Sequence, residues 1–290
     1  MEYTSEDIRQ LREKTGAGMM DCKKALDESK GDIELAVEWL RKKGINTAEK
    51  KSSRSASDGL ITVVVTKEKG VILEINSETD FVARNENFQK FCHDISNFCL
   101  KNEVNSVEKL LSLKLTEEQT IQELLTETIS KLGENLIIKR LNTIADEKVY
   151  FQKYIHNSIN ENSGKIGVLL TFKCNKQNNE INEFSKNLCM HIAASDPKAL
   201  DIQSLDKQLI EKEKGIYFEQ LKDSGKPKEI LDKIIDGKIN KFYEEVCLLE
   251  QFFVMDNKVK IKDFIIDLNK RNDSDFKISK YFIYKLGQQN

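Results

Sequence analysis

Few side chains in this 290-residue chain have types and spacings suited to chemistry. Its three histidines, His93, His156 and His191, form no His-Glu-x-x-His pair, the arrangement that holds a catalytic zinc ion. No Gly-x-Ser-x-Gly elbow presents a nucleophilic serine, and neither a Gly-x-x-x-x-Gly-Lys-Ser/Thr loop nor a Gly-x-Gly-x-x-Gly turn offers a cradle for phosphates. Cys92 and Cys99 fall two helical turns apart on an apolar face, a pattern of packing rather than of thiol reactivity. No Cys-x-x-Cys occurs, so structural zinc and dithiol exchange lack their usual ligand pair. The expectation is a protein without covalent chemistry, cofactor or metal of its own.

Two segments are better suited to contact than to catalysis. In Thr15-Gly16-Ala17-Gly18-Met19-Met20-Asp21-Cys22-Lys23 the adjacent methionines point about 100° apart on a helix and cannot both enter one small core. Either one thioether faces solvent as a deformable contact, or both are half-buried in a loosely packed bundle. In Asn76-Ser77-Glu78-Thr79-Asp80-Phe81-Val82-Ala83-Arg84-Asn85 a phenylalanine occupies a polar strand-to-helix connection. Phe81 either staples the following helix or stands outward as an aromatic anchor for a partner.

These segments need elements to position them. The first fifty residues read as three short helices. Thr4 and Asp7 have capping-box spacing, Gly16 and Gly18 interrupt the first helix, and Asp32 after Gly31 caps the third. Ile8 and Leu11, then Met19, Cys22 and Leu26, then Ile33, Val37 and Leu40 recur at helical spacing around one small core. Glu49 to Ser57 carries no periodicity and reads as linker. β-rich runs at 60–65 and 71–75 flank Lys67-Glu68-Lys69-Gly70, the turn of an antiparallel hairpin. Phe88, Phe91, Cys92, Ile95 and Cys99 mark an amphipathic helix, and Thr116 with Gln119 is the expected capping box of the next, which carries Ile121, Leu124, Leu125 and Ile129. A third strand follows over 137–144.

The order then recurs loosely, with strands at 149–155 and 165–172 and a helix over 182–194. A charged helical pair spans 205–241 about a Ser224-Gly225-Lys226-Pro227 hinge. The tail has apolar runs at 252–255 and 261–268 before a last strand at 280–285. The expected class is α+β with antiparallel sheets. Its organisation is a three-helix docking bundle (1–46), a linker (47–57), a first mixed unit (58–145), a second (146–200 and 240–290), and an inserted antiparallel helical hairpin (201–239).

Lys plus Arg number 46 and Asp plus Glu 48, a formal net charge of −2. That balance lacks the basic excess that sequence-blind nucleic-acid binding needs. With 39% hydrophobic and 32% charged residues the chain is expected to fold as a globular protein of about two ~150-residue domains. No apolar run nears the ~20 residues of a membrane span. The acidic start Met1-Glu2-Tyr3-Thr4-Ser5-Glu6-Asp7 is unlike a secretory leader, and six cysteines without a framework suit a reducing compartment, so a cytoplasmic location is expected.

Whole motifs carry a resemblance. Thr15-Gly16-Ala17-Gly18-Met19-Met20-Asp21-Cys22-Lys23-Lys24-Ala25-Leu26 resembles the amino-terminal signature of the translation elongation factor Ts family. Thr79-Asp80-Phe81-Val82-Ala83-Arg84-Asn85, with Phe88 behind it, resembles the second signature. His191-Ile192-Ala193-Ala194-Ser195-Asp196-Pro197, Gly225-Lys226-Pro227-Lys228-Glu229-Ile230, and Leu249-Glu250-Gln251 through Phe253-Val254 match in order. The resemblance spans essentially the whole chain. It departs at Phe252, where the family usually has Pro, and at Lys260, where Thr is common; both leave the conformation of the carboxy-terminal segment open.

The resemblance implies a guanine-nucleotide exchange factor that binds elongation factor Tu, GDP-bound and nucleotide-free, and promotes GDP release. It implies a ubiquitin-associated-like bundle, two α+β subdomains and an inserted hairpin, with no nucleic acid or membrane as partner. Phe81 would wedge between helices of the GTPase domain near the magnesium side of its site, with Asp80 beside it and Thr79 and Val82 flanking. Met19, Met20 and Lys23 map to the docking face of the bundle, and His191 to a histidine that touches the partner. Self-association, or a 2:2 complex through the hairpin, is a further expectation. The competing reading is an adaptor whose bundle binds helical or ubiquitin-like partners while the rest is structural.

Overall fold

Capping chemistry sets the first boundaries. Thr4 and Asp7 close a reciprocal capping box on α1 (Ser5–Thr15), and Gly16, at φ +65°, ends it in the left-handed conformation. Gly18 precedes α2 (Met19–Glu28), and the Asp32 carboxylate accepts the Glu34 and Leu35 amides at the start of α3 (Ile33–Lys51). The computed structural model describes residues 3–117, 119–222 and 227–288. Met1 and Glu2, and the Ser224-Gly225-Lys226 part of the expected hinge, lie outside the described residues.

The bundle core consists of Leu11, Cys22, Ala25, Leu26 and Ala36. Met19, expected beside Cys22 and Leu26, is instead 61% exposed, and Met20 is 75% exposed. The expectation of a solvent-facing thioether is exceeded, because both are outside, and the half-buried alternative fails. Helical side chains lean toward the helix amino terminus, and from the first turn of α2 that direction leads off the end of the bundle. α3 also outruns its expected end, continuing through the first part of the segment read as linker. Ala48 packs against the core of the next unit, and Glu49, Lys50 and Lys51 are good helix formers.

The central strands follow the sequence pattern. β1 (Asp58–Val65) and β2 (Lys69–Ser77) form an antiparallel hairpin. α4 (Asp80–Ala83), α5 (Glu86–Asn102) and α6 (Val107–Ser112) follow. α7 (Ile121–Leu132) starts later than expected, since Thr120 and Glu123, not Thr116 and Gln119, make its capping box. Thr116 Oγ1 does accept the Gln119 amide at 3.2 Å, but within a turn closed by the Gln119 carbonyl. Two candidate boxes overlap in sequence, and the one leading directly into the buried face Ile121, Leu125 and Ile129 starts the helix.

β3 (Ile137–Ala145) pairs antiparallel with β2, and β4 (Tyr150–Ser158) with β5 (Ser163–Lys173). α8 (Asn179–Ser195), α9 (Lys207–Leu221) and α10 (Lys228–Val246) precede a short hairpin, β6 (Phe252–Phe253) and β7 (Asp256–Lys260). α11 (Ile261–Asn272) and β8 (Lys277–Lys285) complete the chain, with β8 antiparallel to β5. Ile61–Gly164 and Thr62–Ser163 join β1 to β5, so the two strand–helix runs share one six-stranded sheet. The class is α+β with antiparallel pairing.

Helices α5 and α7 cover Leu60, Leu73 and Ile75 of the hairpin, whereas α8 and α11 cover Val168, Leu170 and Phe172 of β5. Between these two cores, Ile61, Val63 and Ile72 meet Leu169 and Tyr284. Gly167 makes the approach feasible, for a Cβ there would fall 2.6 Å from Ile61 Cγ2. α9 and α10 pack together; α9 buries none of its residues, whereas α10 buries Leu231, Ile235, Ile239 and Phe242. Phe252 faces Lys260 across β6 and β7, with Lys260 Nζ 5.7 Å from the ring centroid.

A charged cluster ties the halves together. Glu74, 0% exposed on β2, accepts from Arg140 Nε at 2.6 Å and lies 3.4 Å from Lys139 Nζ. The Arg140 guanidinium sits 4.2 Å from the Tyr284 ring centroid on β8. Removing one partner of a buried pair strands the other charge in a poorly solvated site. Glu74→Ala is therefore expected to lower the unfolding free energy by about 3 kcal/mol in urea titration; a loss under about 1 kcal/mol would contradict a structural role for the cluster.

Candidate functional site

Phe81 is presented by a single helical turn. Strand β2 runs out at Ser77, and α4 begins at Asp80 after the extended residue Thr79. Val82 and Ala83 are buried in the core shared by β1 and α5, which turns the opposite side of the short helix outward. Phe81 is 81% exposed. The stapling alternative therefore fails: Val82, the next residue, supplies the apolar contact with the core. Asp80 lies 3.8 Å from Arg84 on the same turn, leaving its carboxylate half-exposed beside the ring.

The loop is braced by the segment that leads into the neighbouring strand β3. Thr79 gives α4 no side-chain cap, because its hydroxyl donates to Glu134 Oε1 at 2.6 Å while its amide donates to Glu134 Oε2 at 3.0 Å. The Asn135 amide donates to Glu78 Oε1 at 2.7 Å. Sequence reasoning missed Glu134, Asn135 and Glu78, since a hydrogen bond spanning 55 residues leaves no spacing signal.

The other expected contact residues fall into two places. Met19, Met20 and Lys23 share the exposed part of α2. The bundle that carries them rests on α7, where Arg41 pairs with Glu123 and Lys51 Nζ donates to the Gly133 carbonyl at 2.5 Å. His191 is elsewhere, 1% exposed on α8, and presents no ring surface for a partner to touch. Thiol chemistry finds little support: Cys92, Cys99 and Cys189 are buried, and burial pushes the Cys99 thiol up to about 12. Among the described residues no group of three or more His, Cys, Asp or Glu converges as a metal site, and no helix is long and apolar enough to cross a membrane.

His191 is a structural knot. Its Nε2 donates to Gln251 Oε1 at 2.8 Å, and its Nδ1 accepts the Val254 amide at 3.3 Å. Gln251 Oε1 also accepts from Ser195 Oγ at 2.9 Å, and Gln251 Nε2 donates to the Glu245 carbonyl at 2.7 Å. A proton on Nδ1 would confront the Val254 N–H, so the ring is held neutral. Burial lowers its pKa below 6.5, with the Gln251 bond opposing. An unfolded chain takes up the proton near ~6.5 that the native ring refuses. The stabilisation is complete above that pH and is lost as pH falls below it. Urea titrations from pH 7 to pH 5 are expected to show a steeper loss for the parent than for His191→Gln; parallel profiles would contradict the assignment.

Residues 78–288 match the family model described as Elongation factor TS, a match that begins at the Phe81 loop. Elongation factor Ts of Rickettsia bellii (strain OSU 85-389) is 40% identical over 289 residues, covering 99% of this chain and 93% of that protein. Elongation factor Ts of Rhodospirillum centenum (strain ATCC 51521 / SW) is 42% identical over 288 residues, covering 99% and 94%. That of Clostridium botulinum (strain Eklund 17B / Type B) is 42% identical over 287 residues, covering 98% and 93%. The chain belongs to the elongation factor Ts family and so to the translation elongation factors.

Proposed function

We propose that this chain is a guanine-nucleotide exchange factor that binds elongation factor Tu and speeds release of GDP, with Phe81 as the wedge. The observation that carries the reading is the exposed phenyl ring on a turn whose other side is anchored in the core. A P-loop GTPase holds its diphosphate through backbone amides, a lysine and a magnesium ion. An exchange factor needs no reactive group; it must bind the nucleotide-free partner more tightly than the nucleotide-bound one. Reciprocity then weakens nucleotide binding by the same factor, and a thousandfold weakening corresponds to about 4 kcal/mol.

In this reading Phe81 enters an apolar gap between helices of the GTPase domain, near the magnesium side of the site. Asp80, half-exposed at the start of α4, bonds to a polar group at the rim, with Thr79 and Val82 fixing the turn. The three-helix bundle docks separately through Met19, Met20 and Lys23. Two subdomains form the core, and the α9–α10 hairpin adds area for orientation or self-association. His191 contributes through Gln251 and the Val254 turn that it holds, not through a contact of its own ring.

The decisive measurement is stopped-flow release of a fluorescent GDP analogue from elongation factor Tu. Phe81→Ala is expected to slow catalysed release by roughly tenfold or more, the scale of an interface hot spot. Equal rates for variant and parent would reject the wedge. Replacing Met19 and Met20 together by serine is expected to weaken binding to elongation factor Tu by roughly tenfold in calorimetry. Unchanged affinity would remove the bundle face from the interface.

A further inference from the structure

Three consecutive residues after α7 touch both the segment descending from the bundle and the loop carrying Phe81. Gly133, at φ +73°, ends the helix, and its carbonyl accepts Lys51 Nζ at the end of α3. Glu134 holds both donors of Thr79 in a two-oxygen grip. Asn135, buried, donates its amide to Glu78 and its side-chain Nδ2 to the Arg54 carbonyl at 2.8 Å. Arg54 in turn lies 3.6 Å from the other Glu78 oxygen. The segment descending from the bundle and the loop carrying Phe81 are thus fastened to the same turn.

The geometry points to Glu134 as the positioning residue for Phe81: its carboxylate clamps the backbone and hydroxyl of Thr79 and so sets where the turn carrying the ring begins. This deepens, and rests on, the reading of Phe81 as the wedge. The need for a clamp follows from the size of α4. A helix of four residues cannot hold its own direction, because nucleation costs more than one turn of hydrogen bonds returns. Its direction is therefore inherited from its two ends. At the carboxy-terminal end Val82 and Ala83 are gripped by the core. At the amino-terminal end Thr79 has spent its hydroxyl and amide on Glu134, while the buried Ser77 Oγ donates to its carbonyl at 2.9 Å, so the carboxylate fixes the donor side of the residue.

The two Thr79 donors make the strongest pair of bonds with an ionised carboxylate. A glutamine would keep an oxygen for the Thr79 amide and donate its NH2 to the Thr79 hydroxyl, exchanging two charge-assisted bonds for two weaker neutral ones. An alanine would free both donors to water and let the Thr79 dihedrals drift. Small displacements of a positioned group are costly in such systems, up to about a hundredfold for ~1 Å.

The test is a double-mutant cycle in the full-length protein, read by stopped-flow release of a fluorescent GDP analogue from elongation factor Tu. Glu134→Ala and Glu134→Gln are each made in the parent and in the Phe81→Ala background. In the parent, Glu134→Ala is expected to slow release by about fivefold or more, with Glu134→Gln between it and the parent. With the ring already removed, the same substitutions are expected to change release by less than about twofold, because nothing remains to be positioned. Thr79→Val, which deletes the hydroxyl donor while keeping the shape, is expected to reproduce the Glu134→Gln loss and supplies the result if the alanine variant does not fold.

Equal fractional losses in both backgrounds would overturn the assignment, showing that Glu134 acts on overall structure and not through the ring. Parent-like release by Glu134→Ala, with Phe81→Ala slow, would overturn the assignment while leaving the wedge intact. An inactive-wedge result, in which Phe81→Ala itself releases GDP at the parent rate, would reject the wedge reading and the positioning role together.

Discussion

The burial of Val82 and Ala83 is the constraint on which the exposed site depends. A phenyl ring left in water forgoes about 2 kcal/mol of transfer free energy, so its exposure must be enforced by what surrounds it. Here the neighbouring positions on the same turn are gripped by the core under β1 and α5, and the helical period leaves position 81 pointing away. The turn is too short for any local propensity to set its direction. Its geometry is borrowed entirely from the sheet, the core and the carboxylate brace.

That sheet is stiffened where it is most exposed to shear. β1 meets β5 over only two residue pairs, Ile61–Gly164 and Thr62–Ser163. Packing compensates on the inner face, where Ile61 and Val63 lie against Leu169 at the space Gly167 leaves free. At the sheet's other contact, Glu74, Arg140 and Tyr284 join β2, β3 and β8. The bundle is attached by α3 packing along α7, with Ala48 against the neighbouring core and the Arg41–Glu123 pair and the Lys51 bond to Gly133 at the rim. Pairs of that kind contribute little free energy individually, so the packing along α3 carries most of the attachment.

The carboxy-terminal segment is organised around a neutral histidine. His191 spends both ring nitrogens within the chain, and Gln251 spends both ends of its amide on His191, Ser195 and the Glu245 carbonyl. The apolar residues that follow divide accordingly: Phe253 is buried against Phe184 and Phe264, whereas Phe252, Val254 and Met255 are exposed. Phe252 finds a partner in Lys260, itself held by Glu244 at 2.9 Å and Glu250 at 3.4 Å. Phe252 and Lys260 thus meet across one short hairpin.

Much of the element map was legible in the residues because its causes are local. Thr4 with Asp7, Gly16 and Asp32 act within one helical turn of themselves, and the period of Phe88, Phe91, Cys92, Ile95 and Cys99 reports one buried face. The motif at 79–85 marked the turn on which the structure leaves Phe81 exposed. Local signals also misled, as when Thr116 and Gln119 imitated a helix start that Thr120 and Glu123 provide, and when spacing alone put Met19 in the bundle core. What no linear pattern carried was decided by the tertiary structure. Whether Phe81 faces in or out depends on which neighbours the core grips. The burial of His191 depends on Gln251 arriving from another element, and the bracing of Thr79 on a carboxylate far away in sequence. Periodicity encodes how a segment lies on its own surface, whereas exposure and hydrogen-bond partners exist only once distant segments have met.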